Sequence, residues 1–195
     1  MSKNLQLHEL KEVYSQTNHA LNKLLEKNGI RKTSKVSKSQ KLEKIKLEVL
    51  RKKMATDHNN KVSKLVEVLG EENAITQSRQ VLFEVGVKLG KRARLELGIG
   101  DSFSDFSKAL KIMYKILGNK IQLSQIDRDQ AILYVKRCSL SNSYTNNTCK
   151  VLSAVDEGMI HGINPKYEIS FKKRITCGFS RCVAEIKINR NKEII

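Results

Sequence analysis

The sequence has no tryptophan, a single proline and few aromatic residues, which make up 5% of its 195 positions. Collagen-like, proline-rich and mucin-like chains are therefore excluded, because each of those classes needs a strongly biased composition. No apolar run reaches the 18 residues that a membrane-spanning helix requires. The first 16 residues also lack the apolar core of a secretory signal, so we expect a cytoplasmic location and no membrane partner.

Positive charge dominates what the sequence does contain. There are 37 basic against 20 acidic residues, which gives a net charge of +17. Residues 1–60 carry 14 basic and 6 acidic side chains, and residues 131–195 carry 11 and 5, so the excess is largest at the two ends. Such an excess favours contact with phosphates and makes nucleic acid a candidate partner for the basic N-terminal helices. No recognition motif accompanies the charge, however, and a solvated helix face is the alternative interpretation.

The first 118 residues show the periodicity of helices. Two glycines, Gly86 and Gly90, lie one turn apart inside the helix predicted over Glu72–Leu97. Each lowers the stability of a helix interior by about 1 kcal/mol relative to alanine. They predict a close contact with another backbone. A polar, basic linker is predicted at Arg31–Ser39. Helices are predicted over Leu5–Lys27, Ser39–Thr56, Asn60–Leu69 and Glu72–Leu97, and over a fifth segment that is capped by Asp101 or Ser102 and ends at Gly118.

Beyond Gly118 the pattern changes to short strands around one helix. The helix is predicted over Asn147–His161, with Gly162 as the residue after its end and Pro165 as a stop. The last two strands are expected to form a hairpin. The prediction is an α+β fold: a helical N-terminal part, then a small, mostly antiparallel sheet with a covering helix. Residues 1–58 are interpreted as a basic helical extension and residues 59–195 as the α+β domain. Strands are predicted over Lys120–Ser124, Ala131–Lys136, Tyr167–Thr176 and Cys182–Ile188.

All four cysteines lie in the last third of the chain. Their spacing fits neither a disulfide framework nor the usual zinc motifs, so zinc is not favoured and no other cofactor is indicated. Buried reduced thiols and a functional cluster are both consistent with the pattern. The four histidines belong to no metal-binding or catalytic motif. The cysteines are Cys138, Cys149, Cys177 and Cys182, and the histidines are His8, His19, His58 and His161.

The predicted helix at Asn147–His161 places three polar groups on one face. Cys149, Ser153 and Asp156 are separated by four and three residues. A helix N-terminus stabilises a thiolate, so the pKa of Cys149 is expected to be lowered, which suits a nucleophile. Asp156 is the candidate for proton transfer, and Cys138 and Cys182, near strand ends, are the candidates for completing the site. Packed thiols and an exposed Asp156 are the structural alternatives.

Three segments of this region resemble a known group of proteins. They are Arg137-Cys138, then Cys149 leading into LSAVDEGMIHGINP, then RITCGFSRCVAEI. The pattern is similar to L-2-amino-thiazoline-4-carboxylic acid hydrolase-like proteins and to the related 4-vinyl reductase domain, over roughly residues 60–190. Zinc-binding members of the latter carry an acidic residue and a further cysteine where this chain has Phe171-Lys-Lys-Arg174. That departure again disfavours zinc.

The resemblance implies two functions. One is a hydrolase that opens a small cyclic amidine or thiazoline-type carboxylate, with Cys149 as nucleophile and Asp156 handling protons. The other is a non-catalytic domain that binds a small ligand or senses redox state or metal. The partner in the first case is a small carboxylate, and a homodimer is left open. Candidate ligand-binding residues are Arg137, Ser153, Arg174, Gly178 and Arg181.

Overall fold

The computed structural model describes residues 2–30 and 46–189. Five helices and four strands follow one another in these ranges, and a short 3₁₀ turn at Ile175–Cys177 joins the last two strands. The predicted linker Arg31–Ser39 lies outside them. The helices are α1 (Lys3–Lys27), α2 (Leu47–Leu69), α3 (Glu71–Glu96), α4 (Phe103–Leu117) and α5 (Asn146–Ile163). The strands are β1 (Lys120–Gln125), β2 (Gln130–Arg137), β3 (Tyr167–Lys173) and β4 (Cys182–Ile188).

The four strands form one antiparallel sheet in the order β1-β2-β4-β3. One face of the sheet packs against helices: Leu133 of β2 and Ala184 of β4 are fully buried, and Phe106 of α4 stacks on Tyr167 of β3 with 3.9 Å between ring centroids. The predicted α+β fold and its terminal hairpin are confirmed. Ser102 is the N-cap of α4, and Gly118 ends that helix with φ = 81°.

Helices α3 and α5 touch backbone to backbone through four glycines. A Cβ placed on Gly86 would lie 2.3 Å from the Val155 carbonyl oxygen, and one on Gly158 would lie 2.0 Å from that of Phe83. Such distances leave no room for a side chain, so the close contact predicted at Gly86 and Gly90 is confirmed. The role predicted for Gly162 is wrong. It is buried inside α5 against α3, and Asn164 caps the helix.

Helix α2 is continuous where the sequence predicted two helices. Residues 57–59, which separate the two predicted helices, are helical in the structure. Burial explains the difference, because His58 faces the core with only 1% of its surface exposed. The boundary predicted after residue 58 falls inside this helix. Residues on both sides of it, among them Leu10 and Leu65, are fully buried. None of the described helices is long and apolar enough to cross a membrane.

Candidate functional site

A cavity of about 130 Å³ lies between the helices and the sheet. Side chains from all five helices and from β2, β3 and β4 line it, and most of them are apolar. This space is called the central cavity below. Its ionisable or hydrogen-bonding lining residues include Thr17, His58, Arg92, Tyr114, Cys138, Tyr144, Cys149, Ser153, Asp156, Arg174 and Cys182.

The structure brings the four predicted catalytic residues to this one cavity. Cys149 lies in the first turn of α5, which begins after Thr145, and Asp156 lies two turns further along the same helix. Cys182 opens β4 and pairs in register with Val135 of β2. Cys138 follows the end of β2. Sheet pairing and one helix face therefore place the three thiols and the carboxyl group together.

The cavity thiols are not activated. Burial raises the pKa of Cys138 to about 11 and also raises the pKa values of Cys149 and Cys182. A hydrogen bond with Thr176 and the charge of Arg174 act in the opposite direction at Cys149 but have smaller effects. The lowered pKa expected for Cys149 from its helix position is therefore wrong. Desolvation of the thiolate outweighs the helix dipole here.

Asp156 is a carboxyl group in the wall of the central cavity. Burial raises its pKa to about 7, and the charge of Glu157 acts in the same direction. Tyr114 of α4 and Arg174 favour the ionised form but only partly offset this. The group therefore changes charge near neutral pH, a property typical of proton-transferring and ligand-linked groups.

Arg174 reaches the cavity from the segment that follows β3. It donates from one terminal nitrogen to the Ser153 hydroxyl at 3.1 Å and from the other to the Phe171 carbonyl at 3.4 Å. Its guanidinium carbon lies 5.2 Å from the Phe171 ring centroid. Ser153 also accepts from Arg79 at 3.1 Å. These contacts fix the guanidinium plane at the cavity wall.

A hydrogen-bonded network around the buried His58 forms part of the cavity wall, and no sequence motif indicated it. His58 Nε2 lies 3.0 Å from the Thr17 hydroxyl, and His58 Nδ1 lies 2.9 Å from the Tyr144 hydroxyl. Burial lowers the pKa of His58 to about 3, so the ring is neutral. The spacing of His58 from its apolar neighbours in the sequence could have indicated that this histidine is buried. His58 lies four residues after Met54 and four before Val62, on the apolar face of α2.

An ion pair between α1 and α3 forms part of the cavity wall. Arg92 contacts Glu9 at 2.5 Å and Glu12 at 3.8 Å. Both Arg92 and Glu9 line the cavity and remain partly exposed. Part of the cavity wall between these two helices therefore lies at the protein surface.

Low-identity solved structures share this fold, although no family model and no curated protein matches the sequence. The trafficking protein particle complex subunit 3 from Naegleria fowleri, covalently bound to palmitic acid, has a TM-score of 0.59 and 14% identity. The match covers 76% of this chain and 98% of that one. The phenol-responsive sensory domain of the transcription activator PoxR, with phenol, has a TM-score of 0.53 and 13% identity. That match covers 73% and 76% of the two chains. Both show the α+β fold alone.

Three predicted ligand-binding residues lie away from the central cavity. Arg137 is exposed, and Gly178 is an exposed turn residue with φ = 89°. Arg181 is exposed and stacks on Tyr134, 4.8 Å from the ring centroid. Cys177 is also exposed, and its thiol donates to the Asn146 side chain at 3.0 Å. Of the predicted ligand-binding residues, the cavity thus contains Ser153 and Arg174.

Metal binding finds no support within residues 2–30 and 46–189. In these ranges no group of three or more histidine, cysteine, aspartate or glutamate side chains is arranged to hold a metal ion. The three thiols and Asp156 share the cavity wall without forming such a group.

Proposed function

We propose that this chain is a binding domain for a small, single-ring organic ligand that occupies the central cavity. The observation that carries the proposal is the cavity itself, about 130 Å³ of mainly apolar space with a few polar groups. Ligand sites in proteins have this composition. An apolar protein cavity of about 150 Å³ binds benzene, so the volume fits one six-membered ring.

The fold neighbours support the same class of function. The PoxR sensory domain was solved with phenol, a single ring bearing one hydroxyl group, and the trafficking subunit carries palmitic acid. Both are small organic molecules. The volume of the central cavity favours a ring over a long acyl chain. We therefore take phenol as the first probe.

Phenol is expected to bind the full chain with a Kd of roughly 0.1 mM, as its seven heavy atoms allow. Isothermal titration calorimetry measures this directly. Val155 lines the cavity, so Val155→Phe fills the space and is expected to abolish the binding heat. Val68 is 57% exposed on α2, and Val68→Phe is the matched control that keeps wild-type affinity.

Thermal unfolding of each variant shows first that it is folded. Leu152→Phe, at another lining position, provides a second filled cavity if Val155→Phe does not fold. Undiminished phenol binding by a folded, filled variant would place the ligand elsewhere and refute the proposal.

A cysteine-centred hydrolase is the second candidate, and one observation favours it. Cys149, Cys182 and Asp156 line one cavity together with Arg174, as the resemblance to thiazoline-carboxylate hydrolases would require. In that reaction the Cys149 thiol would lose its proton to Asp156 and attack the ring carbon. The ring C–N or C–S bond would break as Asp156 returns the proton to the leaving atom, and water would then release the opened product from Cys149. The raised pKa of Cys149 weighs against it, so ligand binding is the preferred function.

Alkylation with iodoacetamide separates the two candidates. For a binding domain we expect the exposed Cys177 to react first and the three cavity thiols to react slowly, because these are less exposed and burial favours their neutral form. Mass spectrometry of the wild type and of Cys177→Ser, at pH 6 to 9, measures each rate. A cavity thiol that reacts faster than Cys177 at pH 7 would favour the hydrolase instead.

Nucleic-acid binding by the N-terminal helices stays a prediction. Leu10 and Leu21 of α1 and Leu50 of α2 are fully buried in the core. Deleting residues 1–55 would therefore remove part of the core, so substitutions at exposed lysines are the appropriate test.

A further inference from the structure

Arg174 is a positive charge in the cavity wall without a carboxylate partner among residues 2–30 and 46–189. Its terminal nitrogens bind a hydroxyl and a carbonyl, both neutral acceptors. Its Nε is buried and has no hydrogen-bond partner. By contrast, Arg79, Arg92 and Arg94 each contact a carboxylate oxygen within 2.6 Å. Arg174 is therefore the arginine at the cavity whose charge is left uncompensated.

Asp156 interacts electrostatically with Arg174, but it neutralises the charge of that arginine only in part. Arg174 favours its ionised form, but burial dominates, and the pKa of Asp156 is about 7. The Asp156 carboxyl group therefore titrates near neutral pH and is an incomplete counter-ion for Arg174. Arg174 is only partly exposed and its hydrogen-bond acceptors are neutral, so an anion brought in by the ligand would give it a charged partner.

We propose that Arg174 binds the carboxylate of a single-ring organic acid in the central cavity. The inference rests on the proposed function and deepens it by naming the ligand class. Arginine pairs with carboxylates through two parallel hydrogen bonds, and its planar group is already held here by Ser153 and Phe171. The ring of the acid would occupy the apolar space towards Val155 and Met159. Benzoate is the simplest probe of this class.

Binding of a carboxylate should be linked to protonation of Asp156. The groups acting on it are Glu157 on α5, Tyr114 on α4 and Arg174, and it acts in turn on the thiols of Cys149 and Cys182. A ligand carboxylate at Arg174 repels the ionised form of Asp156, so the complex takes up a proton. Benzoate affinity is therefore expected to fall as the pH rises from 6 to 8.

Calorimetry of the full chain at pH 6 with benzoate and phenol tests the proposal. Wild type is expected to bind benzoate about 10-fold more tightly than phenol. Arg174→Met should weaken benzoate binding by roughly 10- to 100-fold, as loss of a charged hydrogen bond does, and change phenol binding by less than about threefold. Arg137→Met, an exposed arginine away from the cavity, is the matched control and should bind both as wild type does.

The outcomes separate this inference from the proposed function. Phenol binding without any preference for benzoate, or an equal loss of both ligands in Arg174→Met, would overturn the carboxylate site and leave the binding domain standing. Failure of wild type to bind either compound would overturn both. Thermal unfolding shows that each variant is folded, and Arg174→Gln replaces Arg174→Met if the latter is not.

Discussion

Replacing Gly158 with alanine is expected to destabilise the protein by about 3 kcal/mol, the upper part of the usual range for overpacking. Helix propensity alone predicts the opposite sign, because alanine is about 1 kcal/mol better than glycine inside a helix. The new Cβ, however, would lie 2.0 Å from the Phe83 carbonyl oxygen. Since that neighbour is backbone and not a movable side chain, α3 and α5 must separate. Urea unfolding followed by circular dichroism measures the change.

Gly70→Ala is the control for this experiment. Gly70 has φ = 76°, and a Cβ there would meet nothing within 4 Å. With ψ = 160°, Gly70 lies in a backbone region almost restricted to glycine, so the cost of alanine there is backbone strain alone, about 1 to 3 kcal/mol. A stability of Gly158→Ala equal to or above that of wild type would contradict the backbone contact between α3 and α5.

Acidification is expected to remove about 2 to 3 kcal/mol of stability through His58 alone between pH 6.5 and pH 4.5. The pKa of His58 is lowered from 6.5 to about 3 in the folded state, chiefly by burial, with Lys61 adding to the effect. Between these two pKa values, His58 is therefore protonated in the unfolded chain and neutral in the native state. This contribution is fully present above pH 6.5 and is lost as the pH falls towards 3, at about 1.4 kcal/mol per pH unit.

The hydrogen bonds of the ring fix the tautomer of its neutral form. The Thr17 hydroxyl lies 2.8 Å from the Val13 carbonyl and donates to it, so it accepts from His58 Nε2. His58 Nδ1 then accepts from the Tyr144 hydroxyl. A second ring proton, on Nδ1, would require the Tyr144 hydroxyl to turn from donor to acceptor.

Urea midpoints of wild type and His58→Gln from pH 7.5 to 4.5 test this prediction. Glutamine cannot titrate, so the variant should have the flatter stability profile, whatever its stability at pH 7.5. Asp156 has the opposite dependence in both proteins. Its raised pKa means that stability is gained as the pH falls from about 7 towards 3.8. Parallel profiles for the two proteins would rule out a neutral, buried His58.

The sequence predicted those features that depend only on residues close together in the chain, such as helix caps and helix faces. Ser102 and Gly118 mark the ends of α4 by capping, and the spacing of Cys149, Ser153 and Asp156 predicted their common helix face. The pKa of Cys149 was mispredicted because the helix dipole is a local effect, whereas burial depends on the sheet and helices that close over the thiol.

The rest of the candidate site depends on long-range packing. His58 and Cys149 are 91 positions apart in the chain, and only the docking of α2 against the loop after β2 brings the histidine to the cavity. Similarly, the guanidinium group of Arg174 is held at the cavity by a hydrogen bond to Ser153, which lies on α5. Neither relation leaves a motif in the sequence, because each joins side chains from elements that only the packing of the fold brings together.

The glycine contact between α3 and α5 also determines how a ligand can arrive and leave. Two helices that meet backbone to backbone can separate only with loss of many close contacts. We therefore expect the α3–α5 pair to be a rigid part of the cavity wall. Helix α1 faces α3 through side chains, and the partly exposed Glu9–Arg92 pair is among these contacts. For the proposed ligand, we expect the α1 side, which is held by side chains, to be the route of entry and exit.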